Sequence, residues 1–218
     1  DPRLKQAVGR LDMGQTGFCT GALVSPDIVL TAAHCLFDKT SGRKFEVEQL
    51  TFQPGLKNGK SAHIRAVKEV FVHPKFEPAK KGDLSNLPLD LALVKLDRPL
   101  STAISAPISV AYPNLSGMPA SVFSYGKGRA DNAEVQQGCE LSSHSNGIYL
   151  TTCRADAGTS GAPVIQMRNG QPAVVSIVSA MARADGTPVS LFVPVADAFA
   201  SMHEALAAKA TPVRFEAD

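Results

Sequence analysis

The amino-acid sequence predicts an all-β protein closed by one C-terminal helix. From Phe18 to about Val195 the apolar residues come in short runs broken by Gly, Pro, Asn and Asp, and only the last segment has helical spacing. Short apolar runs bounded by turn residues are how a β-sandwich or β-barrel reads. A first group of expected strands covers residues 21–24, 28–31, 46–52, 67–72 and 91–96. A second group covers 120–125, 135–141, 148–152, 162–166, 174–179 and 190–193. Between them lies Asp97-Arg98-Pro99-Leu100-Ser101, continuing through Pro107 to Pro113, where the prolines disfavour a central strand. That stretch divides the chain into residues 1–103 and 104–218. In the last segment Val195, Phe199, Met202 and Leu206 recur at three- and four-residue steps among alanines, with Pro212 just beyond. This is the pattern of an amphipathic helix, expected to pack on the second group of strands.

At 218 residues the chain can bury a full core, as one large domain or two small ones packed together. Its net charge is +2, with acidic and basic residues interspersed, which argues against nucleic acid or an anionic membrane as partner. No segment is long and apolar enough to span a bilayer, and the opening Asp1-Pro2-Arg3-Leu4-Lys5 lacks the hydrophobic stretch of a signal peptide, so the chain reads as a mature one. The four cysteines, Cys19, Cys35, Cys139 and Cys153, suggest two disulfides by their even count. A zinc site competes with that reading, but there is no Cys-x-x-Cys, and His34 stands beside Cys35 rather than at a ligand spacing. Disulfides persist outside the reducing cytosol, which makes a periplasm, an extracellular space or a secretory lumen the expected compartment.

A hydroxyl nucleophile is weak at neutral pH and needs an imidazole as base, with a carboxylate to fix the tautomer of that imidazole. The sequence offers a candidate for each role. Ser160 stands in Gly158-Thr159-Ser160-Gly161-Ala162-Pro163, where small residues permit a tight turn able to aim the N–H groups of Gly158 and Ser160 at one point. His34 lies in Thr31-Ala32-Ala33-His34-Cys35, directly after the apolar run Ile28-Val29-Leu30. Asp90 opens Asp90-Leu91-Ala92-Leu93-Val94-Lys95-Leu96, at the mouth of a strong strand. Each also has a plain reading: an ordinary Gly-Ser loop, a histidine packed beside a cysteine, and a strand-end cap. Spacing alone does not bring three such distant segments together.

In this order, Thr-Ala-Ala-His-Cys, Asp-Leu-Ala-Leu-Val-Lys-Leu and Gly-x-Ser-Gly-x-Pro resemble the three signature segments of the chymotrypsin-like serine proteases. Phe18-Cys19-Thr20-Gly21-Ala22-Leu23-Val24, Val72-His73-Pro74 and Ser124-Tyr125-Gly126 are similar to supporting segments of that family, and the resemblance runs from about Gly17 to Phe199. It implies two packed six-stranded antiparallel Greek-key β-barrels with a C-terminal α-helix. It also implies a serine endopeptidase in which Ser160 attacks the scissile carbonyl, His34 moves the proton and Asp90 orients His34. Gly158 and Ser160 would form the oxyanion hole, and Ser179 would support Asp90. The same resemblance pairs Cys19 with Cys35 and Cys139 with Cys153.

The departures from the family matter as well. Thr159 stands where animal trypsins carry the Asp that pairs with a freshly cut N-terminal ammonium, and the Ile-Val-Gly-Gly start of those enzymes is missing, so the oxyanion turn must be formed by other contacts. The chain is nearer the bacterial branch that includes glutamyl endopeptidases, yet Val178 occupies the place of that branch's specificity histidine. The implied substrate pocket has Arg154 near its base and Ala180, Met181 and Val189 along its walls, with small or medium apolar side chains favoured and acidic ones an alternative. Under a latent reading, residues Asp1 to Gln15 would block the cleft or be a residual propeptide. No metal or cofactor is expected, and calcium binding is left open, no dense Asp/Asn loop standing out. Protein or peptide substrates are the expected partners, and the chain is expected to be a monomer. Two other classes compete: a latent or inactive protease-like binding module, and an esterase of the α/β-hydrolase type. The esterase requires Gly-x-Ser-x-Gly with its histidine last, and here His203 of the terminal helix is the only histidine after Ser160.

Overall fold

The computed structural model describes residues 2–80, 83–144, 147–184 and 187–210. Strands β1 (Val8–Met13), β2 (Phe18–Ser25), β3 (Ile28–Thr31), β4 (Leu50–Pro54), β5 (Arg65–Val72) and β6 (Ala92–Leu96) close into an antiparallel barrel in the order β1-β2-β3-β6-β5-β4. Closure leaves no unpaired edge. Alternation fills the interior: in β4, Leu50, Phe52 and Pro54 are buried while Thr51 and Gln53 are partly exposed.

The N-terminal residues depart from the expectation of a propeptide. Pro2–Ala7 form a short helix, α1, and the residues after it form β1, which pairs with both β2 and β4 and so completes the barrel. A side chain at Gly9 would run into the Phe52 ring and the Gln53 carbonyl, so β1 is fitted tightly into this place.

The second sheet contains β7 (Ser109–Val110), β8 (Ala120–Gly126), β9 (Arg129–Cys139), β10 (Leu141–Ser143), β11 (Tyr149–Thr151), β12 (Pro163–Arg168), β13 (Gln171–Ala184) and β14 (Thr187–Pro194). Its path is β10-β11-β14-β13-β12-β8-β9, antiparallel throughout, with β7 added parallel to β13. The hydrogen-bonded path is open, a half-barrel beside the closed one. Its two end strands, β9 and β10, are separated only by Glu140, so the sheet curls until one bent run of chain forms both edges.

The final helix, α2 (Ala196–Ala210), carries the apolar stripe read from the sequence. Val195, Met202 and Leu206 are buried in one continuous cluster with Leu11, Leu30, Phe52 and Leu93 of the first barrel and Tyr125, Ile177 and Val193 of the second. A second cluster, including Val122, Val164, Val175 and Phe192, fills the interior of the second sheet.

Two registers position the site. Thr31 at the end of β3 lies opposite Ala92 at the start of β6, so the residues after the one and before the other emerge at the same end of the barrel. His34 and Asp90 lie in those two segments. In the second sheet Pro163 of β12 lies opposite Ile177 of β13, which brings the segment before Pro163, containing Ser160, to the same end as Ser179.

Candidate active site

His34 sits in a 3-10 turn, Ala33–Leu36, directly after β3, and Asp90 ends another, Leu87–Leu89, directly before β6. Asp90 is 3% exposed and uses both oxygens. Its Oδ1 accepts the His34 backbone N–H at 2.8 Å, and its Oδ2 lies 2.7 Å from His34 Nδ1. Ser179 Oγ donates to the same Oδ2 at 2.5 Å. An ionised carboxylate only accepts hydrogen bonds, so Nδ1 carries a proton and Nε2 keeps its lone pair when the ring is neutral. Burial pushes the Asp90 carboxyl upward. The attraction of His34 and the hydrogen bonds from His34 and Ser179 outweigh that effect and hold it below the usual carboxylate range.

Ser179 reaches Asp90 because the β13–β14 ladder shifts register between Val178 and Ala180, leaving Ser179 outside the pairing. A bulge of this kind re-aims a side chain.

Ser160 and His34 line one cleft of about 740 Å³, together with Phe18, the Cys19–Cys35 bridge, Phe37, Phe45, Lys127, residues 155–159 and 178–181. Gly158 has φ +98°, and a side chain there would strike the Phe18 ring, so only glycine fits. Among the described residues, neither the Gly158 N–H nor the Ser160 N–H has an acceptor within the protein. Two uncommitted amides beside a half-buried hydroxyl are what an oxyanion-binding turn requires.

Contacts that the sequence alone does not reveal seat this turn. Thr20 of β2 donates its hydroxyl to Gly158 O at 2.9 Å and its N–H to Ser160 O at 2.9 Å. Thr159 is 1% exposed, and its hydroxyl donates to Asp156 O at 2.6 Å while accepting the Asp156 N–H at 2.9 Å. Gly161, at φ +77°, lies against Thr31 Oγ1, Thr20 O and Ala32 N with no room for a side chain.

The expected pocket residues are distributed unevenly. Ala180 and Met181 line the cleft, but Met181 is 62% exposed and forms its rim rather than filling it. Arg154 is exposed and is not among the residues lining the cleft. Its N–H donates to Gln136 Oε1 and its carbonyl accepts from Gln136 Nε2, both at 2.8 Å, which ties it to β9. The backbone of Val189 pairs with Ala182, while its side chain lies outside the described residues. Asp156 is an acid in the cleft that the sequence did not single out, and Arg129 lies 3.1 Å from its carboxylate. Both disulfides are formed, Cys19–Cys35 and Cys139–Cys153. No described helix is long and apolar enough to cross a membrane.

Comparison with known proteins agrees with this architecture. Residues 3–202 match the Trypsin family model, and the chain belongs to that family. The match reaches well into the N-terminal segment, consistent with β1 as a barrel strand. Human serine protease 56 is 36% identical over 97 residues, which are 44% of this chain and 14% of that protein. The mouse protein of the same name is 37% identical over 92 residues, 42% of this chain and again 14% of the relative. The aligned segment thus spans about a seventh of the length of these relatives. Among solved structures, a thermostable serine protease, AL20, from an extremophilic microorganism superposes with a TM-score of 0.73 at 18% identity, covering 96% of this chain and 100% of the other. A Glu endopeptidase solved with MPD superposes with a TM-score of 0.75 at 18% identity, covering 95% and 94%. At that identity the likeness is one of fold.

Proposed function

We propose that the chain is a serine endopeptidase that hydrolyses peptide bonds through an acyl-enzyme on Ser160. One observation carries the reading: Asp90 holds His34 through both oxygens, Oδ2 on the ring and Oδ1 on the backbone N–H, beside a cleft that contains His34, Ser160 and two amides without acceptors among the described residues. With Nδ1–H bound to Asp90, Nε2, 3.9 Å from Cys35 Sγ, keeps the lone pair that takes the Ser160 proton as Oγ attacks the substrate carbonyl. The negative charge that develops on the carbonyl oxygen is received by the N–H groups of Gly158 and Ser160. His34 then passes its proton to the departing amine, which leaves Ser160 acylated. Water, deprotonated by the same Nε2, attacks the ester and releases the acid, restoring Ser160.

The cleft favours small or medium apolar side chains on the acyl side. Ala180 and Met181 border it, and of the two acids that line it Asp156 is paired with Arg129 while Asp38 Oδ1 accepts the N–H groups of Thr40 and Ser41. Val178 supplies no imidazole for a glutamate. Two disulfides suit an oxidising compartment, and we assign the protein to the secreted or periplasmic enzymes of bacterial type. A fluorophosphonate probe tests the nucleophile: stoichiometric labelling that disappears in Ser160→Ala supports the reading. An unlabelled wild-type chain, or label retained by the variant, counts against it.

A further inference from the structure

We infer that the hairpin joining β8 to β9 holds the oxyanion turn in its donating orientation, with Arg129 and Asp156 as positioning residues. This rests on the endopeptidase reading and deepens it.

An amide in a trans peptide points away from the carbonyl of the same peptide. All described peptide bonds are trans. The Gly158 N–H therefore faces opposite to Ala157 C=O, and the Ser160 N–H opposite to Thr159 C=O. Each of those carbonyls is anchored. Ala157 O accepts the Lys127 N–H at 2.8 Å, and Thr159 O accepts the Ala162 N–H at 2.9 Å. Rotating either peptide to bury its amide would break one of these bonds. The anchor for the 157–158 peptide comes from the hairpin, since Lys127 lies in the turn Gly126-Lys127-Gly128-Arg129 between β8 and β9.

Arg129 fixes that hairpin to the turn. Its Nη2 lies 3.1 Å from Asp156 Oδ1, its Nη1 donates to Ser124 O at 2.6 Å and its Nε lies 2.8 Å from Glu134 Oε2. The guanidinium thus joins the backbone of β8, the side of β9 and the first residue of the nucleophile turn. Asp156 in turn belongs to a closed ring with Thr159, whose N–H and hydroxyl both donate to Asp156 O. Gly126 is part of the same arrangement, because a side chain there would occupy the place of the Asp156 carboxylate and the Arg129 guanidinium. Thr159 is fully engaged within this ring and offers no charge, so the ion pair that orders the turn is Arg129 with Asp156, one turn away from the nucleophile.

The variants Arg129→Met and Asp156→Asn keep side-chain bulk and remove the ion pair. With a chromogenic peptide substrate, kcat is expected to fall about ten- to a hundredfold, part of the loss known for deleting an oxyanion donor, with KM changed less than about twofold. Affinity for a peptide boronic acid, whose oxygen occupies the oxyanion site, is expected to fall in proportion. Arg129→Lys is expected to retain more activity than Arg129→Met. Melting temperatures by calorimetry identify any loss due to unfolding, and Asp156→Asn remains informative if Arg129→Met does not fold. A wild-type chain labelled on Ser160 together with variants of unchanged kcat and boronate affinity would overturn this inference alone. A wild-type chain that takes no label would overturn the endopeptidase reading and this inference with it.

Discussion

At the residue scale, Asp90 shows how a buried charge is kept ionised. Burial alone would favour its neutral form, and the attraction of His34 together with three hydrogen bonds, two from His34 and one from Ser179, reverses that preference. A carboxyl with its folded pKa below the unfolded value contributes stability that is complete above the unfolded value, about pH 4, and is lost as the pH falls through the lower folded value. Ser179→Ala removes one donor and so moves the folded pKa of Asp90 upward. The acid-unfolding midpoint of this variant is expected at higher pH than that of the wild type, and its stability at neutral pH lower by ~2 kcal/mol, the usual loss for a hydrogen bond to a charged group. Circular dichroism along an acid titration reads the midpoint and along a denaturant titration at neutral pH the stability, and a midpoint that does not move would show that Ser179 contributes nothing to the carboxylate. The candidates His34, Asp90 and Ser160 were named in the sequence through a family resemblance. The resemblance also named Ser179 as the support of Asp90, but not how it gets there, because its reach depends on a bulge in β13 that no local pattern announces.

At the scale of elements, β2 links the two halves of the site. Its Thr20 hydroxyl donates to Gly158 O and accepts the Tyr125 N–H at 3.0 Å, while its carbonyl accepts the Thr31 hydroxyl at 2.8 Å. Thr20→Val keeps the shape and removes the hydroxyl, leaving Gly158 O and the Tyr125 N–H without that partner in a buried place. The expected cost is about 1–3 kcal/mol of stability, with Thr20→Ser close to wild type. Thermal melts of the two variants check it, and a Thr20→Val chain as stable as the wild type would contradict the role given to this hydroxyl. The strands of the first barrel were largely readable from short apolar runs. β1 was not named, although Arg10, Leu11, Asp12 and Met13 alternate as a half-buried strand does; Gly9, required there by the close approach of Phe52, interrupts the pattern. Arg154 was placed in the pocket by its distance from Ser160 in sequence, but the Gln136 side chain bonds its backbone to β9.

At the scale of the whole molecule, the two sheets meet so that each contributes what the other lacks. The first barrel brings the imidazole and its carboxylate to one end through the β3–β6 register, and the second brings the hydroxyl and the turn amides through β12 and β13. A single buried cluster running from β1 through both sheets to α2 makes that alignment a property of the core rather than of the loops alone. Fold class, chain order and terminal helix follow from periodicity and turn residues, whereas the meeting of His34 with Ser160 in one cleft is a long-range consequence of packing. The central claim is that Ser160 becomes acylated, and intact-mass spectrometry of the chain quenched in acid during turnover of a slowly deacylating ester reads it directly. One acyl group per chain is expected, located to the peptide containing Ser160 and absent from Ser160→Ala. Turnover of that ester with no acyl adduct at any quench time, or an adduct that persists in Ser160→Ala, would contradict it.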